Sequence, residues 1–237
     1  MSSERISIFL KGFIYNARID WHRRNLKLLS HCEKILDVGC GKGLFVRLAA
    51  DKIIGLDYNS GSLKECVRSG CTVIRGDVLS LPFADGSFDG VHCADIIEHF
   101  SSLDVRIILS EACRVVKAGG TVVIATPLPS KMFWNDAFHV RPYPHMALFS
   151  YFMEGKGAGT QPTQKVLPYN MKFVKLAYRY TQIFQLPLPL YVEENRLKLS
   201  TLMRPSVWLF LLANVLSRMG INNIRPEGYV MVLRKGR

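Results

Sequence analysis

Five short apolar segments, separated by turns and helical patterns, constrain this chain more than any other feature. Lys34–Val38, Lys52–Asp57, Thr72–Arg75, Ser87–Cys93 and Thr121–Ala125 read as strands. Between them, Gly39-Cys-Gly-Lys-Gly43 reads as a glycine-rich turn and Leu44–Ala50 as the opening of a helix. Ser60–Ser69 and Leu103–Val116 read as helices, and Lys117-Ala-Gly-Gly120 as a cap and turn. Strands alternating with helices of this length bury both their faces when the sheet is parallel and helices cover it on either side. The expected fold is therefore α/β and doubly wound.

Beyond Thr126 the alternation stops. Nine prolines fall between Pro127 and Pro205, and Gly155–Thr160 reads as a loop. Helices are expected over Met171–Tyr180 and Ser206–Met219, and a closing, alternating strand over Gly228–Arg234. The expected organisation is a helical lead-in over 1–32, a core over 33–127, a substrate cover over 128–226 and a closing strand over 227–237.

At 237 residues and 49% apolar composition, the chain can bury a sizeable core, and wholesale disorder is excluded. Residues 1–136 carry 17 basic and 15 acidic side chains, whereas residues 137–237 carry 14 and 4. The excess of positive charge belongs to the C-terminal part, as a solvated face or a surface for anions. The longest apolar run, Val207–Val215, is interrupted by Asn214 and falls short of the ~20 residues of a spanning helix. The N-terminus lacks the apolar core and cleavage site of a signal peptide. A cytoplasmic protein is expected, with peripheral membrane contact through Ser206–Leu216 left open.

Six cysteines (Cys32, Cys40, Cys66, Cys71, Cys93 and Cys113) form no Cys-x-x-Cys pair, so reduced, buried thiols are expected.

Three acids stand at or just beyond successive strand ends: Asp37, Asp57 and Asp77. In a doubly wound sheet, ligands bind at the carboxyl ends of the strands, near the switch in strand order. The glycines let backbone approach a ligand closely. Their spacing departs from the dinucleotide fingerprint, and Lys42 is followed by Gly43 rather than the Ser or Thr of a phosphate loop. Dehydrogenase and nucleotidase readings are thereby disfavoured. An acid ending the second strand, as Asp57 does, suits the two hydroxyls of a ribose.

The segments Ile35–Gly43, Gly55–Asp57, Gly76–Val78, Leu81–Val91, Ile97–His99 and Leu109–Gly120, in this order, resemble class I S-adenosylmethionine-dependent methyltransferases. The resemblance covers residues 33–127 and implies a Rossmann-like, mostly parallel sheet with an antiparallel last strand. It implies S-adenosyl-L-methionine as cofactor and S-adenosyl-L-homocysteine as product. On this resemblance, Asp37 organises the loop and reaches the methionine amino group. Gly39, Cys40 and Gly41 line the cofactor. Asp57 holds the ribose, Asp77 and Val78 meet the adenine, and Tyr58 flanks its ring. Ala94 and Asp95 lie under the sulfonium and carboxypropyl arm. His139-Val-Arg-Pro-Tyr143 resembles a histidine-bearing segment of small-molecule members.

A methyl acceptor that attacks through oxygen needs a base, and His99 and His139 are the candidates because imidazole titrates near neutrality. Asp95-Ile-Ile-Glu98-His99 also resembles the Glu-x-x-Glu-His of ubiquinone-pathway O-methyltransferases, which is linked to a divalent metal. Asp95 departs from that pattern, and no metal ligand is assigned. The aromatic residues after Pro127 favour a small, apolar or amphipathic acceptor, methylated on oxygen or carbon. An RNA methyltransferase is the alternative that the basic C-terminal part suggests. Nucleic acid is disfavoured, because Cys93-Ala-Asp-Ile-Ile-Glu98 lacks the Pro-Pro-Tyr or Pro-Cys signatures of base methylation. A non-catalytic cofactor-binding partner protein is a third reading. The oligomeric state is left open.

Overall fold

The computed structural model describes residues 21–152, 167–179 and 227–237. The chain divides into two units, His22–Tyr178 with Gly228–Arg237, and Met1–Trp21 with Arg179–Glu227. The expected loop Gly155–Thr160 and helix Ser206–Met219 lie outside the described residues.

Among the described residues, seven strands form one sheet: β1 Ile35–Val38, β2 Ile53–Asp57, β3 Thr72–Arg75, β4 Phe88–Ala94, β5 Val116–Pro127, β6 Met171–Arg179 and β7 Gly228–Lys235. Their order is β3-β2-β1-β4-β5-β7-β6. β1 to β5 are parallel, and β7 runs antiparallel to β5 from Thr121↔Arg234 to Pro127↔Gly228. The expected doubly wound, Rossmann-like sheet with an antiparallel closing strand is thus the observed one. The chain leaves β1 towards β3 and returns to β4 beside β1, so the order reverses between β1 and β4. In open α/β sheets, ligands bind outside the carboxyl ends of the strands at such a reversal.

Alternate side chains of each strand feed two cores, as the period of two requires. Leu36, Val38, Val91, Val122 and Ile124 pack with α2 (Ser102–Val115) through Val105, Ile108 and Leu109. Ile35, Ile53, Val123 and Val232 pack on the other face with Leu29, Phe45 and Cys66, the last from α1 (Ser60–Arg68). Both helices start where a side chain caps them. Asn59 accepts from the N–H groups of Gly61 and Ser62, and Ser101 from that of Asp104. Two shorter helices follow β5, α3 (Lys131–Trp134) and α4 (His145–Phe152). Phe133, Tyr143 and Leu148 from this region are fully buried.

Three local expectations are corrected. Leu44–Ala50 holds only a single 3-10 turn, Val46–Leu48. The Arg47 guanidinium bonds the carbonyls of Lys42 and Gly43 ahead of this turn, and the extended backbone of Ala49, at φ −157°, ends it. Lys117–Gly120 is not a cap between elements but part of β5. The register jumps from Phe88↔Val116 to Gly90↔Thr121, so the extra residues bulge within the strand. Met171–Tyr180 is not a helix; Met171–Arg179 is the edge strand β6. A short apolar run fits either period, and pairing beside β7, with Gly236 donating to the Asn170 carbonyl, decides it.

Candidate active site

The glycine loop forms where β1 ends. Gly39 and Cys40 both donate to the Leu56 carbonyl, at 2.8 and 3.0 Å, which folds the chain tightly over the tip of β2. Gly39 has φ +72°, and a Cβ there would stand 2.2 Å from Cδ1 of Ile96, so a side chain would strain the backbone and displace Ile96. Gly41, at φ +51°, has nothing within 4 Å of a Cβ position, which leaves that side of the loop open to a ligand.

Asp57 braces the loop. Its Oδ2 accepts from Gly41 N–H and its Oδ1 from Asn59 N–H, each at 2.8 Å. A carboxylate has about four lone-pair sites, so both oxygens can still accept from a diol. Asp77, on an exposed turn after β3, accepts from Leu79 N–H at 2.9 Å, and Val78 beside it is buried. Tyr58 is 70% exposed, with the Arg75 guanidinium 5.3 Å from its ring centre. The loop Leu81–Asp85 is clamped by Arg114. Its guanidinium donates to the carbonyls of Leu81 and Phe83 and to Asp85 and Glu111.

Asp37 is buried and partnered in a way the sequence did not announce. It lies opposite His92 in the β1–β4 register, and its Oδ1 is 2.7 Å from Nδ1 of His92. The other ring nitrogen of His92 is 3.0 Å from the Asn25 amide, and Phe45 stacks on the ring at 3.8 Å. The only clue lay in polar residues amid apolar runs. A histidine inside a buried strand needs a partner, and the facing strand supplied one acid.

At the tip of β4, Asp95 takes φ +52° and donates its N–H to the Ala125 carbonyl. The next turn, Ile97–His99, buries Glu98, whose Oε2 accepts from the Thr126 hydroxyl at 3.0 Å. The segment after β5 folds back on this turn. Val140 N–H donates to the Glu98 carbonyl at 2.8 Å, and the Tyr143 hydroxyl to that of Phe100 at 2.8 Å. His99 and His139 meet with ring centres 4.9 Å apart. Asp37, Gly39, Cys40, Gly41, Asp57, Ala94 and Asp95 thus lie at the carboxyl ends of neighbouring strands, and His139 packs against the adjoining turn that carries His99. Glu98 and Thr126 join them without having been singled out as a pair.

All six cysteines are buried and unpaired. Burial pushes the Cys32 thiol up to about 11 and Cys113 to about 12, and Cys40 and Cys93 higher still. None is a ready thiolate at neutral pH. Among the described residues, no helix is long and apolar enough to cross a membrane.

A family described as "Methyltransferase domain" matches residues 36–124. A sterol 24-C-methyltransferase of Gibberella zeae is 31% identical over 120 residues, 46% of this chain and 31% of that protein. A "Probable tRNA methyltransferase 9B" of Mus musculus is 38% identical over 93 residues, 38% of this chain and 21% of that protein. An uncharacterized chloroplastic methyltransferase of Arabidopsis thaliana is 32% identical over 133 residues, 49% of this chain and 37% of that one. The chain therefore spans less than half the length of these relatives. A crystal structure of an Archaeoglobus fulgidus S-adenosylmethionine-dependent methyltransferase shares the fold over 92% of both chains, with a TM-score of 0.59 and 22% identity.

Proposed function

With residues 36–124 a class I S-adenosylmethionine-dependent methyltransferase domain, we propose that the protein methylates a small apolar or amphipathic acceptor on oxygen or carbon. The observation that carries this reading is the return of the segment 138–143 onto the turn Ile97–His99. It sets His99 and His139 side by side just beyond the carboxyl end of β4, where Ile96 lies against Gly39 of the glycine loop. Exposed Phe138 and Val140 give this segment an apolar surface, and Trp134, at the end of α3, is exposed as well. The 31% identity to a sterol methyltransferase agrees with an apolar acceptor.

The residues present fit the cofactor. The open side of Gly41 admits it, and Asp57 retains lone pairs for two ribose hydroxyls. Asp77 and the Val78 N–H would read the adenine amino edge, with Tyr58 along its face. The cofactor, when bound, supplies a methyl group already activated on a sulfonium. The protein's task is to align the acceptor for in-line displacement and to keep water out, which can contribute about 7–11 kcal/mol. For a hydroxyl acceptor, His139 or His99 takes the proton at Nε2, because Nδ1 of each faces a backbone carbonyl.

A second reading, methylation of RNA, draws on the net +10 of residues 137–237 and on the tRNA methyltransferase relative. Incubation with methyl-labelled cofactor and cell extract, followed by separation into lipid, small-molecule, RNA and protein fractions, decides between them. Label in the lipid or small-molecule fraction is expected. Label in RNA, with binding that weakens steeply as salt rises, would replace this reading by the second. No label in any fraction would remove both.

A further inference from the structure

We propose that His92 and Asn25 are positioning residues for the cofactor site. Together they hold the Asp37 carboxylate in place, with its charge not neutralised, for the ammonium on the amino-acid arm of the cofactor. The ammonium comes from the methyl-transfer reading, on which this inference rests.

The spacing of the elements brings the three side chains together. Residues 21–28 are helical, and this segment lies against β4. Along β4, Gly90 and His92 share a face and stand about 6.6 Å apart, two residues of a strand. Asn25 and Leu29 follow one another by about one helical turn, a rise of ~6 Å. The two spacings match. A Cβ at Gly90 would stand 2.8 Å from Cδ2 of Leu29, so the glycine lets the segment lie close, and Asn25 then meets His92. From the other side, the β1–β4 register sets Asp37 opposite His92.

The direction of each hydrogen bond follows from counting donors. Asp37, His92 and Asn25 are all buried. The Asn25 amide nitrogen stands 3.0 Å from Nε2 of His92, and Nδ1 stands 2.7 Å from Oδ1 of Asp37. An amide nitrogen only donates, so Nε2 accepts, and the single ring proton sits on Nδ1 and goes to Asp37. The ring is therefore neutral. Phe45 stacks on it at 3.8 Å and 16°, and His22 meets it edge-on at 6.2 Å, which fixes its plane.

A carboxylate beside an imidazolium would already be balanced. Beside a neutral ring it keeps its charge, and a buried charge calls for a cation. Of Asp37, Asp57 and Asp95, which stand at the ends of β1, β2 and β4, only Asp37 is buried. Asp57 is engaged by the N–H groups of Gly41 and Asn59, and Asp95 is exposed at φ +52°. Asp37 is thus the acid that gains most from the ammonium. The helical segment 21–28 becomes a working part of the cofactor site through Asn25.

Calorimetry on the full chain with two ligands tests this. S-adenosylhomocysteine carries the amino-acid arm, and 5′-methylthioadenosine has the same adenosyl sulfur without it. His92→Val should weaken S-adenosylhomocysteine binding by about 10- to 100-fold, the worth of one hydrogen bond to a charged group, and leave methylthioadenosine within about 3-fold. His92→Asn returns an N–H to the place of Nδ1 on a side chain that carries no charge, so it should recover most of that affinity. Asn25→Leu removes a neutral hydrogen bond one step away, and S-adenosylhomocysteine binding should fall by about 3- to 10-fold. A merely structural role would lower both ligands together. That result, unchanged S-adenosylhomocysteine affinity in His92→Val, or no recovery in His92→Asn would overturn the proposal. A wild-type chain that binds neither ligand loses the methyl-transfer reading and this proposal with it. A chain that binds both, with the same ratio in every variant, keeps that reading and loses this proposal alone.

Discussion

Around the tips of β2 and β3, the acids complete turns within their own stretch of chain. Asp57 accepts from Asn59, Asp77 from Leu79, and the longest reach is from Asp57 to Gly41, 16 residues back. Around the tips of β4 and β5 the bonds span far more chain. Glu98 meets Thr126 across 28 residues, His99 meets Phe138 across 39, and Tyr143 meets Phe100 across 43. The first region is a cradle built mostly by short-range turn chemistry, suited to a ligand that many chains share. The second exists only once distant segments have packed, which is where an acceptor particular to this chain would be chosen. The Asp37–His92 pair sits at the boundary. Its members are 55 residues apart yet lie side by side in the sheet register.

Four changes break or sharpen this contrast. The largest effect is expected for His92→Leu, which leaves the buried Asp37 carboxylate without its donor. A loss of about 3–5 kcal/mol in urea denaturation follows from removing one member of a buried pair. A loss under about 1 kcal/mol would mean that Asp37 is held by the loop alone.

Asp57→Ala strikes the short-range cradle. Two hydrogen bonds to a charged acceptor are each worth about 1.5–3 kcal/mol, so S-adenosylhomocysteine affinity should fall at least about 100-fold by calorimetry. Unchanged affinity would remove the ribose assignment. His139→Ala strikes the long-range side. Turnover with the identified hydroxyl acceptor should drop by about 100-fold or more, with cofactor affinity intact. Full turnover would eliminate His139 as the base.

The smallest effect concerns acid. Arg114 beside Glu111 and Lys117 beside Asp89 hold those carboxyls below their usual range, helped by backbone N–H groups. The unfolded chain therefore protonates first as pH falls. The stability these pairs add is complete above the ordinary carboxyl values near pH 4, and it is lost as pH drops through the lower, folded values. Both pairs are partly solvated, so the contribution is expected to stay under about 1 kcal/mol each. Glu111→Gln should flatten the acid limb of a melting-temperature profile. Superimposable profiles would show that the Arg114 clamp on Leu81–Asp85 needs no charge from Glu111.

The parallel core and the positions of Asp37, Asp57 and Asp77 were legible because apolar period, turn residues and capping are encoded within a few residues of each other. Lys117–Gly120 and Met171–Arg179 were misread for the converse reason. A bulge and an edge strand are chosen by the neighbouring strand rather than by local propensity. His92 as the partner of Asp37, and His139 as the neighbour of the Glu98-His99 pair, were not legible as groups, because nothing within either segment marks the other.

Order along the chain determined which strands follow which, where the glycine loop bends and which acids stand at the strand tips. These depend on steric and hydrogen-bonding preferences that act over a few residues. Tertiary packing alone decided which buried polar groups face each other, because a buried donor or acceptor must find its partner wherever the fold brings one. It thereby brought the imidazole of His139 against the turn that carries Glu98 and His99.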